Sequence, residues 1–482
     1  MARRFCVLFS LGLAASLGAC AGGPVPEIAT PTPDLPPAFF YAPDGSEEAA
    51  LAALLPSGDP AFTNLVEAAI AQSPSLAEAL ARIEAARAQA ARASAERLPS
   101  VSADGSIVRN RINPAQFGEA GEQGFIPEVQ TSYGANLNAR WDPDIFGELR
   151  ARERAALARI DAASASAAAV RIALVTEIAA SVIDFRVLEA RTAALQEDVS
   201  AAGELARLAT VREEAGIAPG FDRVRAEATA SASRSRLAGL DSERVRIIGR
   251  LVTLTTQDGA SVSAALRQNV SARPLDPAPA ALPSQLLVNR PDVIAAAATL
   301  AATDQDLAAT ARSRFPRLSL SAVLGLLAFQ PENFFNSDSF VSTLAASVAG
   351  PLFDFGRIEA EIDSAAADKR IAFQAYRAAV FEALGDAEAA YGLIAAADNE
   401  ASLAAEERDR LQRAAALAND RFRAGLANFL EVLEARRAAD ASGERAAAAR
   451  GRARRARVLL WQALGGDAPV DREETVAVQR SP

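Results

Sequence analysis

The chain has 482 residues, half of them hydrophobic, with a formal net charge of −10 and no histidine. The missing imidazole excludes a Ser-His-Asp or Cys-His nucleophile system, an HExxH zinc site and His acid/base chemistry, and the only cysteines, Cys6 and Cys20, leave no CxxC framework. An acidic chain without a dominant basic stripe is also not expected to bind nucleic acid, and no motif points to an enzyme or a cofactor.

Mean hydropathy is only +0.08 because much of the hydrophobic half is alanine, which forms helix well and builds thin cores. Lys369 is the single lysine among 50 basic residues, so the rest are arginine. In chain order, Arg3 and Arg4 precede an apolar run that ends in Leu17-Gly18-Ala19-Cys20. This run has signal-peptide length and is too short to span a membrane as a helix. Its end resembles a bacterial lipobox, which predicts cleavage after residue 19 and lipidation of Cys20. Ala21 is not the Asp that commonly retains lipoproteins at the inner membrane, so the outer membrane is the expected location. The following Pro-rich stretch, PVPEIATPTPDLPP, favours extended polyproline II and reads as a tether. No later stretch offers eighteen or more uninterrupted apolar residues, so a membrane crossing would have to use strands.

The body of the chain repeats itself. Phe146-Gly147 and Phe355-Gly356 lie 209 residues apart, and so do Gly216 and Gly425. Equal offsets of this kind point to a tandem duplication. Between each Phe-Gly and the later glycine run nearly seventy residues without proline. In the first repeat Val175, Ile178, Val182, Phe185 and Leu188 recur at helical spacing, and in the second Ile371, Phe373, Tyr376, Val380 and Leu384 do so. A continuous helix of that length would extend ~100 Å at 1.5 Å per residue. Such a length suits coiled-coil packing rather than an ordinary globular domain. After each glycine a second helical pattern returns, through Val224 to Leu254 and through Leu433 to Leu464, so each repeat is expected to hold a long antiparallel helical hairpin.

The segments ahead of each Phe-Gly have a period of two. Tyr133, Ala135, Leu137, Ala139 and Trp141 alternate with polar or small residues, as do Leu318, Leu320, Ala322, Leu324 and Leu326. Weaker alternation runs through Val101, Ala103 and Ile107 and through Leu344, Ala346 and Val348. Each repeat therefore supplies two strands, suited either to a soluble half-buried sheet or to a membrane barrel with a wet lumen. Four strands cannot close a barrel, so a membrane reading requires several chains to share one. Two chains would give eight strands and a filled interior, and three would give twelve and room for a channel.

These features together resemble the outer membrane factor family, the TolC-like channels, and are closest to its lipoprotein branch serving multidrug efflux. The matching segments are Leu282-Pro283-Ser284-Gln285-Leu286-Leu287 followed by Arg290-Pro291-Asp292, the run from Gly425-Leu426-Ala427 to Glu434-Ala435, and Leu464-Gly465-Gly466. The pattern departs at Asn289, Ala297 and Ala427. The resemblance implies a mixed α and β membrane protein, a homotrimer with a shared 12-stranded outer membrane β-barrel and a long periplasmic α-helical barrel. It divides the chain into a signal (1–19), the lipidated Cys and tether (20–58), a first repeat (59–255), an equatorial connection (256–290), a second repeat (291–466) and a C-terminal tail (467–482). It further implies passive export of small molecules handed over by a periplasmic adaptor protein and an inner membrane pump of the resistance-nodulation-division type. Gly216 and Gly425 would form the hairpin turns at the periplasmic tip. Asp222, Glu431 and Glu434 match acidic positions of the pore entrance. As carboxylates that follow the turns they also suit a helix N-terminus. A type I secretion channel and a non-conducting, lipid-anchored coiled-coil scaffold are the competing functions.

Overall fold

The computed structural model describes residues 25–43, 51–111, 113, 129–268, 275 and 277–466. The expected signal, Cys20 and the C-terminal tail lie outside these residues. In chain order the elements are α1 (Pro60–Gln72), α2 (Pro74–Ala95), β1 (Ser100–Arg111), β2 (Val129–Trp141), α3 (Glu148–Glu214) and α4 (Gly220–Thr255). They continue with α5 (Gly259–Leu266), α6 (Pro291–Arg312), β3 (Arg317–Ala328), β4 (Phe340–Ala349), α7 (Arg357–Arg423) and α8 (Phe429–Ala463).

The duplication is reproduced element by element. Helices α3 and α7 are both 67 residues long and begin 209 positions apart, as do α4 and α8. The two Phe-Gly motifs do the same local work. Asp144 accepts hydrogen bonds from the Leu149 and Arg150 amides (3.1 and 2.8 Å), and Asp354 accepts from Ile358 (2.9 Å). In each case a carboxylate satisfies amides that the first helical turn leaves without an intrahelical partner. The extra length of the first repeat falls mainly in the β1–β2 connection, residues 112–128 against 329–339.

Two compact units are built from interleaved segments of both repeats. One holds residues 84–161 and 297–375, and the other holds residues 32–83, 162–296 and 376–466. The first contains one antiparallel sheet in the order β1-β2-β3-β4. Its register places Ala103, Leu137, Leu324 and Ser342 in one row and Val101, Ala139, Ala322 and Leu344 in the next. Directly opposed residues share a face, so these rows make one continuous apolar side. The other side carries Asp104, Asn136, Ser102 and Asn138, and Asp104 accepts from both asparagine amides. Among the described residues no element covers the apolar side: Val101 is 70% exposed, Ile107 74% and Leu344 85%. A soluble half-buried sheet would bury that face, and this one leaves it bare.

The second unit is a helical layer whose core includes Ile178, Val182, Leu251, Val380, Leu460 and Trp461. All five stripe residues of the first repeat, Val175 to Leu188, are buried. In the second repeat Phe373 and Val380 are buried but Ile371 is 67% exposed, so Ile371 lies off the buried face on which its spacing was expected to place it. Alanines 439, 446, 449, 453 and 456 fill the buried face of α8, and Gly451 lies so close to Val187 of α3 that a β-carbon would collide with it. Small side chains thus let the long helices approach closely. One stretch of α3 is long and apolar enough to span a membrane, but 56% of it is buried against other elements, as a packing face requires. The Pro-rich segment is not a free tether throughout. Phe39 is buried 5.4 Å from the Tyr391 ring, and the Phe40 amide donates to Glu388 (2.8 Å).

Candidate functional site

The two hairpin turns have the same construction. In the first, the Gly216 amide donates to the Glu213 carbonyl and the Ile217 amide to the Arg212 carbonyl, both at 2.8 Å. In the second, Gly425 donates to Phe422 (3.0 Å) and Leu426 to Arg421 (2.8 Å). This pattern needs a left-handed residue, and φ is +72° at Gly216 and +75° at Gly425. The return helices start differently. Pro219 precedes α4 without a side-chain cap, whereas Asn428 caps α8 by accepting from the Glu431 amide (2.8 Å) and donating to the Glu431 carboxylate (3.0 Å).

Each expected acidic residue therefore has a definite place. Asp222 lies half-buried in the first turn of α4, Glu431 is exposed in the first turn of α8, and Glu434 is exposed one turn further on. Glu431 is engaged in the cap, which realises the helix-terminus role. Among the described residues the carboxylates of Asp222 and Glu434 have no ion-pair partner, and no bond joins the three. Arg223 closes the first hairpin instead, bonding Glu213 (2.6 Å) and Glu227 (3.0 Å). A small core of Leu205, Ala209, Ala226, Phe422, Phe429, Val432 and Leu433 packs the two hairpins together. Arg212 lies over the Phe422 ring at 4.9 Å. Around it the tips expose Ile217, Phe221, Val224 and Leu426.

A polar cluster further along the hairpins is absent from the sequence-based expectations. Asp198 of α3, only 3% exposed, accepts from Arg236 of α4 (3.0 Å) and hydrogen-bonds Asp440 of α8. Arg236 also reaches Glu444 (3.5 Å), which lies 3.9 Å from Arg191, while Ser233 and Arg436 border the two aspartates. Burial, reinforced by the neighbouring Asp198 carboxylate, pushes Asp440 up to about 7. Burial also opposes the charge on Asp198, but hydrogen bonds from Asp440 and Ser233 and the charges of Arg236 and Arg436 hold it below the usual range. A buried and a half-buried carboxyl group in contact share one proton. The only sequence signal was a carboxylate in an apolar stripe: Asp198 sits between buried Leu195 and Ala202 at helical spacing.

The separate sequence motifs also meet in space. Arg290 forms a bond of 3.0 Å to Asp292 and one of 3.1 Å to Asp386, and it reaches the Ala463 carbonyl at 3.3 Å. A side chain at Gly465 would strike the Asn289 carbonyl. The RPD run and the Leu-Gly-Gly ending thus form one junction.

The sequence profile of the outer membrane efflux protein family matches residues 65–257 and 282–466, both repeats almost entirely. The chain belongs to that family. It is similar to the pyoverdine export outer membrane protein OpmQ of Pseudomonas aeruginosa, 29% identical over 421 residues, covering 86% of this chain and 87% of that protein. Among solved structures it is similar to a membrane protein from Pseudomonas aeruginosa (26% identity, TM-score 0.84, 93% of this chain and 99% of that one). It is also similar to the outer-membrane channel OprN (26% identity, TM-score 0.81, 92% and 98%). As a member of the outer membrane efflux protein family, it has the TolC-like fold and is the outer membrane channel component of an efflux system, with a periplasmic α-helical extension. Such a conduit needs no catalytic group, consistent with a non-enzymatic role.

Proposed function

We propose that three copies of the chain assemble into one export channel that serves a tripartite pump of the resistance-nodulation-division type. The observation that carries this reading is the four-stranded sheet with a bare apolar face, a polar face opposite and an unpaired edge at both β1 and β4. Unpaired strand edges cannot rest in lipid, so β1 of one chain pairs with β4 of the next until the sheet closes. Three chains give twelve strands and a lumen wide enough to conduct. The hairpins continue as a helical tunnel that ends at the Gly216 and Gly425 turns, where the exposed apolar residues meet a periplasmic adaptor protein. Threefold repetition of Asp222, Glu431 and Glu434 surrounds the pore entrance with negative charge. Residues 256–290 form an equatorial connection between the repeats.

The chain is a member of the lipoprotein branch, anchored at Cys20 in outer membrane lipid by several acyl chains, since one chain alone holds weakly. Its cargo is small molecules, a reading supported by the relative OpmQ, which is named for pyoverdine export. The test is the purified full chain in planar bilayers and on denaturing gels without heating. A heat-sensitive band of three chains and discrete conductance steps are expected. Monomers without conductance would overturn the channel and leave the coiled-coil scaffold.

A further inference from the structure

The helical unit contains a cavity of about 600 Å³ between α3, α7 and α8, bordered also by residues 53–59. Its shape follows from α8, where Gly443, Ala446, Ala447 and Gly451 leave a floor without bulk. Arg450, Arg454 and Arg457 project from the same helical face at spacings of four and three. Five arginines border the space, and their partners differ. Arg186 is satisfied by Asp59 (2.8 and 3.1 Å), Glu189 (2.7 Å) and the Leu266 and Gln268 carbonyls. Arg457 is held by Asp398 (2.8 Å) and Arg408 by Asp409 (2.7 Å). Arg450 and Arg454 have no hydrogen bond or ion pair with any described residue.

Arg454 is the unusual member. It is half-buried, one turn from the like charge of Arg450, and the nearby Asp59 carboxylate is already spanned by Arg186. Burial and then Arg450 push its proton affinity down, and Asp59 opposes this only in part. The remaining bordering carboxylate, Glu197, is distant. Since Val187 packs on Gly451 and Asp198 meets Asp440, Glu197 lies roughly 20 Å along the helices from Arg454 at 1.5 Å per residue. A partly desolvated cation with no bonded counter-charge among the described residues is unfavourable, and an anion in the cavity would relieve it. An apolar part of the wall is offered by Leu55, Val187, Ala190 and Ala193.

We propose that this cavity is a binding site for a small amphipathic organic anion, a carboxylate or sulfonate whose charged end pairs with Arg454 and Arg450 and whose apolar body rests on Leu55 and Val187. The volume suits a drug-sized molecule. The site is independent of the strand edges and hairpin tips on which the channel reading rests.

The experiment is calorimetric titration of the assembled full chain, held in lipid nanodiscs without detergent, with naphthalene-1-sulfonate. Saturable binding at one site per chain is expected, weakened at high salt, with the neutral analogue naphthalene-1-methanol about tenfold weaker or worse, as for loss of a charged hydrogen bond. Arg454→Met should weaken the sulfonate about tenfold or more, and Arg454→Lys should retain most of the affinity. If Arg454→Met does not give the heat-sensitive oligomer band, exposed Arg450→Gln carries the test, with a several-fold loss expected. Absence of saturable binding, equal affinity for the neutral analogue, or full affinity in the assembled Arg454→Met or Arg450→Gln variant would overturn the site.

Discussion

Replacing Asp440 by Asn tests the carboxyl pair that links α3 to α8. In the native arrangement burial and Asp198 raise Asp440 from 3.8 to about 7. At 1.36 kcal/mol per pH unit such a shift would correspond to roughly 4 kcal/mol, and solvent screening at the half-buried Asp440 reduces this to about 2 kcal/mol, shared by the pair as a whole. The sign follows from linkage. The folded pKa is raised above the unfolded value, so the contribution is complete below about pH 4, falls as pH rises, and is lost once pH passes about 7. Asp198 moves the other way. Its pKa is lowered, so its contribution is present above its unfolded value and fades only at still lower pH. The window between about 4 and 7 therefore belongs to Asp440. Arg236, Arg436, Arg191 and Glu444 surround the pair in both the native and the substituted protein. Hydrogen exchange of the α3 amides around Asp198 and the α8 amides around Asp440, followed from pH 4.5 to 8 after correction for intrinsic rates, should show protection declining with pH in the native protein. In Asp440→Asn the decline should vanish, leaving the variant better protected than the native chain at pH 8 and nearly equal at pH 4.5. Parallel profiles for the two proteins would refute the shared proton.

Gly451→Ala should lower the temperature at which the unheated oligomer band dissociates, because the new methyl group meets Val187. Gly239→Ala, in open space within α4, should leave it unchanged or raise it slightly, since alanine favours helix by roughly 0.5–1 kcal/mol. Equal behaviour of the two would contradict the close α3–α8 approach. Replacing Glu431 and Glu434 together by Gln keeps an oxygen for the Asn428 amide but removes the charge. Cation preference in single-channel records should fall, and unchanged selectivity would remove these residues from the pore entrance. Cys20→Ala should abolish incorporation of labelled palmitate, and persistent labelling would exclude Cys20 as the acylated residue.

The architecture was legible where the physics is local. Helix starts depend on nearby carboxylates such as Asp144 and Asp354, and helix ends on left-handed glycines such as Gly216 and Gly425, so equal spacings in the sequence became equal helices in space. Strand alternation was legible for the same reason, because each strand carries its own two faces. Register was not legible. That Leu137 stands opposite both Ala103 and Leu324 depends on three strands at once. The candidate site divided similarly. Glu431 follows Asn428 closely enough for its cap to be read from the chain, whereas Asp198 and Asp440 are 242 positions apart and meet only through helix packing. That Arg454 has no bonded carboxylate among the described residues was equally hidden, because an arginine on a helix looks the same in sequence whether a carboxylate from another helix reaches it or not.

Interchain pairing of the sheet edges is the central claim, and photo-crosslinking in intact outer membranes tests it most directly. With benzoylphenylalanine in place of Val108 on β1, the crosslinked peptide should come from residues 340–349 on β4 of another chain, and the ladder should stop at three chains. Within one chain β1 and β4 are separated by two strands, roughly 14 Å at the usual strand spacing, so an intrachain product would not mimic this result. Crosslinks confined to single chains, or a ladder that ends at two, would contradict the shared twelve-stranded barrel.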